Sequence, residues 1–84
     1  MTANTAIVTI DVHGMDKRSA KLYIDQKLAQ AGSGVYRIRI VHGFHGGTEL
    51  RTMVRKVYKS SNSKVIRVEV GLNPGETDLV LKEY

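Results

Sequence analysis

The sequence predicts an α/β chain of the α+β type: a two-layer sandwich in which a mixed four-stranded sheet carries both helices on one face. Three observations predict it. Period-two and helical segments follow one another in the order β-α-β-α-β-β, with a glycine at nearly every change of period. Each strand segment has one apolar and one largely polar face, whereas strands covered on both sides read as near-continuous apolar runs. The length, 84 residues, suits one small core and no second domain.

The first strand is residues 7–13, Ile-Val-Thr-Ile-Asp-Val-His, ended by Gly14. Val8, Ile10 and Val12 share one of its faces, and Thr9, Asp11 and His13 the other. Asp16 then stands as the N-cap of a helix from Lys17 to Ala31, where Ala20, Ile24, Leu28 and Ala31 recur at helical spacing and Gly32 is a natural stop. Val35 to Val41 is a second strand, with Tyr36, Ile38 and Ile40 opposite Arg37 and Arg39, closed by His42-Gly43. The turn Phe44-His45-Gly46-Gly47 leads to a second helix, capped by Gly47 or Thr48, that places Leu50, Met53, Val54, Val57 and Tyr58 on one side. After the polar break Ser60 to Ser63 comes a third strand, Lys64 to Val70, with Ile66, Val68 and Val70 opposite Arg67 and Glu69. Asn73-Pro74-Gly75 is a turn signal, and Thr77 to Tyr84 reads as the antiparallel hairpin partner, Leu79 and Leu81 opposite Asp78 and Lys82. Strands joined through helices should run parallel, with right-handed crossovers. Residues 1–5 read as a disordered tail and 6–84 as a single domain.

Composition narrows the function. With no Cys, a disulfide scaffold and a thiolate metal site are excluded, which fits a reducing compartment. No apolar run is long enough to span a membrane, and the N-terminal residues lack the basic and apolar regions of a signal peptide, so a cytoplasmic location is expected. Thirteen Lys and Arg against eight Asp and Glu, a net charge of +5, favour a polyanionic partner. Plain solubility is the alternative.

Parallel strands would gather three loops at their C-terminal edge: Gly14-Met15, Gly43 to Gly47, and Gly71 to Gly75. All three histidines, His13, His42 and His45, fall in or beside them. Asp11, two residues before His13, can orient its imidazole and stabilise the protonated form, as general acid–base chemistry requires. A capping Asp beside a solvated His is the bland alternative. Gly43, Gly46 and Gly47 at a strand-to-helix junction let backbone N–H groups approach an anion, to which the helix start adds its positive end; the alternative is a tight turn that needs φ > 0. Asp11, His13, His42 and His45 have ligand chemistry for zinc or another divalent ion, but their spacing matches no standard motif, so no metal or other cofactor is required. Arg51, Arg55 and Lys59 form an i, i+4, i+8 stripe, and the six basic residues from Arg51 to Arg67 have no acidic residue among them. Phe44 is a candidate for stacking on a base or for plugging the core beneath its loop.

Two of these segments together carry a resemblance. Ile10-Asp11-Val12-His13-Gly14-Met15 resembles the aspartate-leucine-histidine-glycine motif of the Smr (small MutS-related) domain. The run from Ile40 through His42-Gly43-Phe44-His45-Gly46-Gly47-Thr48-Glu49-Leu50-Arg51 resembles that family's histidine-glycine-x-glycine loop leading into leucine-arginine, and the stretch from Gly71 to Thr77 its usual end. The loop departs from the common form in carrying Phe44 and His45 where many members have a lysine, and in being one residue longer, as in a stand-alone subgroup of the family. The resemblance implies the fold of the C-terminal domain of bacterial translation initiation factor three. It also implies binding of DNA or RNA, with endonuclease activity that nicks DNA or cleaves RNA, in DNA repair or RNA processing.

On that footing Asp11 and His13 match the catalytic motif, with His42 or His45 as the second proton-transfer group. Gly14, Gly43, Phe44, Gly46, Gly47, Thr48, Arg51, Arg55 and Lys59 would hold nucleic acid. A monomer is expected, with no membrane partner. The competing readings are a nucleic-acid-binding module without catalysis, and a ribosome-associated adaptor that uses the open sheet face.

Overall fold

A computed structural model of the chain describes residues 7–32, 34–43, 48–60, 64–70 and 73–82. The elements are β1 (Ile7–Asp11), α1 (Lys17–Gln30), β2 (Arg37–Val41), α2 (Thr48–Ser60), β3 (Arg67–Glu69) and β4 (Glu76–Val80). They follow the expected β-α-β-α-β-β order and form one four-stranded sheet, ordered β1-β2-β4-β3. β1 pairs parallel with β2, while β4 runs antiparallel to both β2 and β3, so the sheet is mixed and β1, β2 and β3 all point the same way. The hairpin partner β4 is thus an interior strand. It is the best-buried strand of the sheet, with Thr77 to Val80 all buried.

Register sorts the two faces. Val8, Ile38, Leu79 and Val68 stand abreast, as do Ile10, Ile40 and Thr77. Both rows meet one core that contains Ala20, Ile24 and Leu28 of α1 and Leu50, Val54 and Tyr58 of α2, so both helices cover one face. Asp16 caps α1 by accepting from the Ser19 N–H at 3.3 Å. At the other end, where the Ala31 N–H donates to the Leu28 carbonyl at 3.2 Å, Lys64 Nζ adds donations to the Leu28 and Ala31 carbonyls at 2.6 and 3.3 Å. The Tyr58 hydroxyl donates to Asp25 at 2.6 Å and ties the helices together. Burial, reinforced by that carboxylate, drives the phenol's pKa far above its ordinary value.

Two expectations about faces are corrected. Ile66 and Val70 were placed with Val68 in the core, but both are more than half exposed, and Val65 is buried instead. β3 is only three residues long, so strict alternation stops just outside it. On the open face, the positive charge of Arg37, Arg39 and Arg67 is expected from the sequence to be offset only in part, by Glu69 and Asp78. The interposition of β4 surrounds these arginines with carboxylates: Arg37 reaches Glu69 and Asp78, both at 2.7 Å, Arg39 reaches Asp78 at 3.0 Å and Glu76 at 3.9 Å, and Arg67 reaches Glu69 at 2.6 Å. Three arginines meet three carboxylates, and the face is neutral. Among the described residues, no helix is long and apolar enough to cross a membrane. The expected tail lies outside the described residues.

Candidate functional site

β1 ends two residues before the expected boundary because the chain turns at His13. The Met15 N–H donates to the Val12 carbonyl at 3.0 Å, and Gly14 takes φ +81°, which makes Val12 to Met15 a type II turn with His13 and Gly14 at its centre. The turn folds His13 back over Asp11. One oxygen, Asp11 Oδ1, accepts from the His13 backbone N–H at 3.0 Å and lies 2.5 Å from Nδ1. A carboxylate only accepts, so Nδ1 carries the proton and Nε2 is left for solvent. His13 is 68% exposed. Its ring and backbone hydrogen bonds hold the Asp11 carboxyl below the usual carboxylate range. Asp11 and His13 are therefore together, as expected, through a turn instead of a shared strand face.

His42 has the opposite environment. It is 1% exposed, and both ring nitrogens are engaged. Nδ1 lies 2.9 Å from the Gly43 carbonyl, an acceptor, so Nδ1 bears the hydrogen. Nε2 is then the acceptor for the Thr77 hydroxyl at 2.8 Å, whose oxygen in turn accepts from Arg55 Nε at 3.0 Å. Burial, with the charges of Arg55 and Arg51, keeps the His42 pKa below its ordinary value, against the opposing pull of the Gly43 carbonyl and Glu76. His42 is a neutral, internal imidazole. The proton-transfer role expected of it would require the pocket to open.

Gly43 joins the three loops. It takes φ +86°, which favours glycine. Its N–H donates to the Gly75 carbonyl at 3.0 Å, beside the His42 N–H at 2.9 Å. The Gly43 amide expected to face a phosphate is thus committed to the chain itself. A Cβ at Gly43 would stand 3.5 Å from His13 Cβ, and one at Gly75 would stand 3.4 Å from the Gly43 carbonyl carbon. The Asn73 side chain sets this third loop by accepting from the Gly75 N–H at 2.9 Å. The ends of β1 and β2 and the start of β4 therefore meet at one edge, with Arg51 and Arg55 of α2 close enough to act on His42.

Arg55 turns inward to Thr77 and away from the outward stripe in which its spacing placed it. Burial and the charge of Arg51 lower its pKa. Neither Arg51 nor Arg55 has an acidic partner among the described residues. Phe44, His45, Gly46, Gly47 and the side chains of Thr48 and Lys59 lie outside the described residues. Among the described residues, no three His, Asp or Glu side chains are grouped to hold a metal ion.

Sequence reasoning passed over Thr77, Asn73 and the carbonyl of Gly75 as site residues. Thr77 did leave a signal: it has the parity of Leu79 and Leu81, so its hydroxyl falls on the apolar face, where it needs a partner. Against known proteins, the Smr domain family's sequence model matches residues 10–73, from Ile10 in β1 to Asn73, where the turn before β4 begins. No curated protein and no solved structure matches the chain. The match takes in Asp11-x-His13 and the His42-Gly43 loop in order, and it spans three-quarters of the 84 residues. The chain belongs to the Smr domain family.

Proposed function

We propose that this edge binds the phosphate backbone of DNA or RNA and cleaves it, with His13 moving the proton. The observation that carries the reading is the exposed His13 imidazole, held by an ionised Asp11 at the same edge as two arginines that have no acidic partner among the described residues. His13 Nε2 is free to take a proton from an attacking hydroxyl or to give one to the leaving oxygen, and Asp11, bound to Nδ1, holds the ring in place for both steps. Arg51 neutralises charge that develops on the phosphoryl oxygens. Since the Gly43 amide is engaged, guanidinium groups supply the anion contacts here. The Smr family is one of nucleic-acid-binding domains with endonuclease-like members, which supports the same reading.

The test is incubation of supercoiled plasmid and of a structured RNA with wild-type protein and with His13→Ala, each with and without divalent metal. Product from wild type and none from His13→Ala supports cleavage by His13; equal product from both removes His13 from the chemistry. A second reading, binding without cleavage, is favoured by the burial of His42, which leaves one described imidazole in contact with solvent. It predicts no product together with affinity that falls steeply as salt rises.

A further inference from the structure

We propose that Thr77 and Arg55 are positioning residues for this site: the hydrogen-bond chain Arg55–Thr77–His42–Gly43 fixes the strand end against which His13 stands, and it ties that strand end to the arginines that face the phosphate. The inference rests on the reading of the edge as a phosphate-binding site, and it assigns a task to Thr77 and His42, two buried groups that the proposed chemistry leaves unused.

Hydrogen-bond direction is fixed at both ends of the chain. A guanidinium can only donate and a carbonyl can only accept. Arg55 Nε donates at one end of the chain and the Gly43 oxygen accepts at the other, so the two groups between them have one arrangement. Thr77 must give its hydrogen to His42 Nε2, and His42 must keep its own on Nδ1. Reversing either link would oppose two donors or two acceptors inside a pocket where Thr77 and His42 are 0% and 1% exposed. The carbonyl so held belongs to Gly43, which lies so near His13 that a Cβ added to it would stand 3.5 Å from His13 Cβ. At the other end, the terminal nitrogens of Arg55 make no hydrogen bond with the described residues, and Arg51 lies close enough to lower its pKa. A phosphate between the two arginines would engage the same guanidinium that anchors Thr77. The groups facing His42 are Arg51 and Arg55 from α2, Glu76 and Thr77 from β4, and Gly43 from its own strand end.

The test is nitrogen-detected NMR of the histidine rings in wild type, Thr77→Val and Thr77→Ser, alongside binding of a labelled oligonucleotide. Wild type should show His42 as the neutral Nδ1–H tautomer with a hydrogen-bonded Nε2. Thr77→Val should move Nε2 to the position of an unbonded acceptor, shift the Gly43 amide and the His13 ring, and weaken oligonucleotide binding about tenfold, the size of one buried hydrogen bond. Thr77→Ser should restore all three. Should Thr77→Val fail to fold, Arg55→Met breaks the same chain from its other end and should move the His42 and His13 signals. An Nε2–H or protonated His42 in wild type, or a His13 ring indifferent to both variants, overturns the chain even if cleavage is observed. Absence of binding and cleavage by wild type would instead overturn the reading of the edge and leave the ring signals to decide the chain.

Discussion

His13 and His42 are adjacent through Gly43, yet one is 68% exposed and the other 1%. Solvent access separates their roles more firmly than their chemistry does. Replacing His13 with Ala should cost cleavage about 10²- to 10⁴-fold, the usual weight of one acid–base group, and leave the melting temperature unchanged because the side chain is 68% exposed and, among the described residues, its ring is hydrogen-bonded to Asp11 alone. Plasmid nicking or RNA cleavage, read beside a thermal melt, checks both halves. The Asp11–His13 pair was legible because its partners are two residues apart and any local turn or strand brings them close. The seat of His42 was not. Its partner Thr77 is 35 residues away and reaches it only because β4 lies beside β2, a neighbour relation that hydrophobic alternation does not encode. The inward turn of Arg55 was hidden for the same reason: a stripe at i, i+4, i+8 shows that side chains share a helix edge, and leaves open which of them leans toward the sheet.

Among the elements, β4 is the one whose place the sequence left open: it reads as the antiparallel hairpin partner of β3, and the structure seats it between β2 and β3. The number, order and relative direction of the elements followed from periodicity and glycine placement. The interior position of β4 followed instead from the crossover β2-α2-β3, which leaves room for one strand between two parallel ones. This position puts Val80 between Arg37 and Arg67, and Asp78 between Arg39 and Glu69. Burial raises the Asp78 carboxyl's pKa, but the hydrogen bonds and charges of Arg39 and Arg37 more than reverse the rise, and the net shift is downward. A carboxyl depressed in the folded state contributes stability above its unfolded pKa, about 3.9, and loses it as pH falls through the folded value. Thermal melts should therefore show Asp78→Asn less stable than wild type by about 1–3 kcal/mol at neutral pH, the cost of leaving part-buried partners unsatisfied. The gap should close below about pH 4 as wild-type Asp78 takes up its proton. A gap that stays constant to pH 2 would show that the ion pairs carry none of it. The β1–α1 turn offers a test of a different kind. Gly14 sits at φ +81° with no atom within 4 Å of a would-be Cβ, so Gly14→Ala meets no clash and isolates backbone strain. It should cost about 1–2 kcal/mol in a denaturant titration.

Across the whole molecule, the net charge of +5 is distributed unevenly. The open sheet face neutralises itself, arginine against carboxylate, so the entire surplus lies elsewhere, and at the site edge it includes two arginines without acidic partners among the described residues. A polyanion approaching the open face would have to break ion pairs that already satisfy Arg37, whose side chain is 19% exposed, whereas at the edge it would relieve the repulsion between Arg51 and Arg55. The two faces should therefore differ in the salt dependence of binding, where each phosphate contact adds close to one unit to the slope of log affinity against log salt. Arg51→Ala should lower that slope by about one and weaken DNA and RNA oligonucleotides of every sequence alike. Arg39→Ala should leave the slope unchanged and lower the melting temperature, because its guanidinium serves Asp78 and Glu76. Fluorescence titrations over a range of salt concentrations measure both variants in one experiment. If the Arg39 variant loses slope and the Arg51 variant keeps it, the nucleic acid lies on the sheet face, and the edge is only where the strands end.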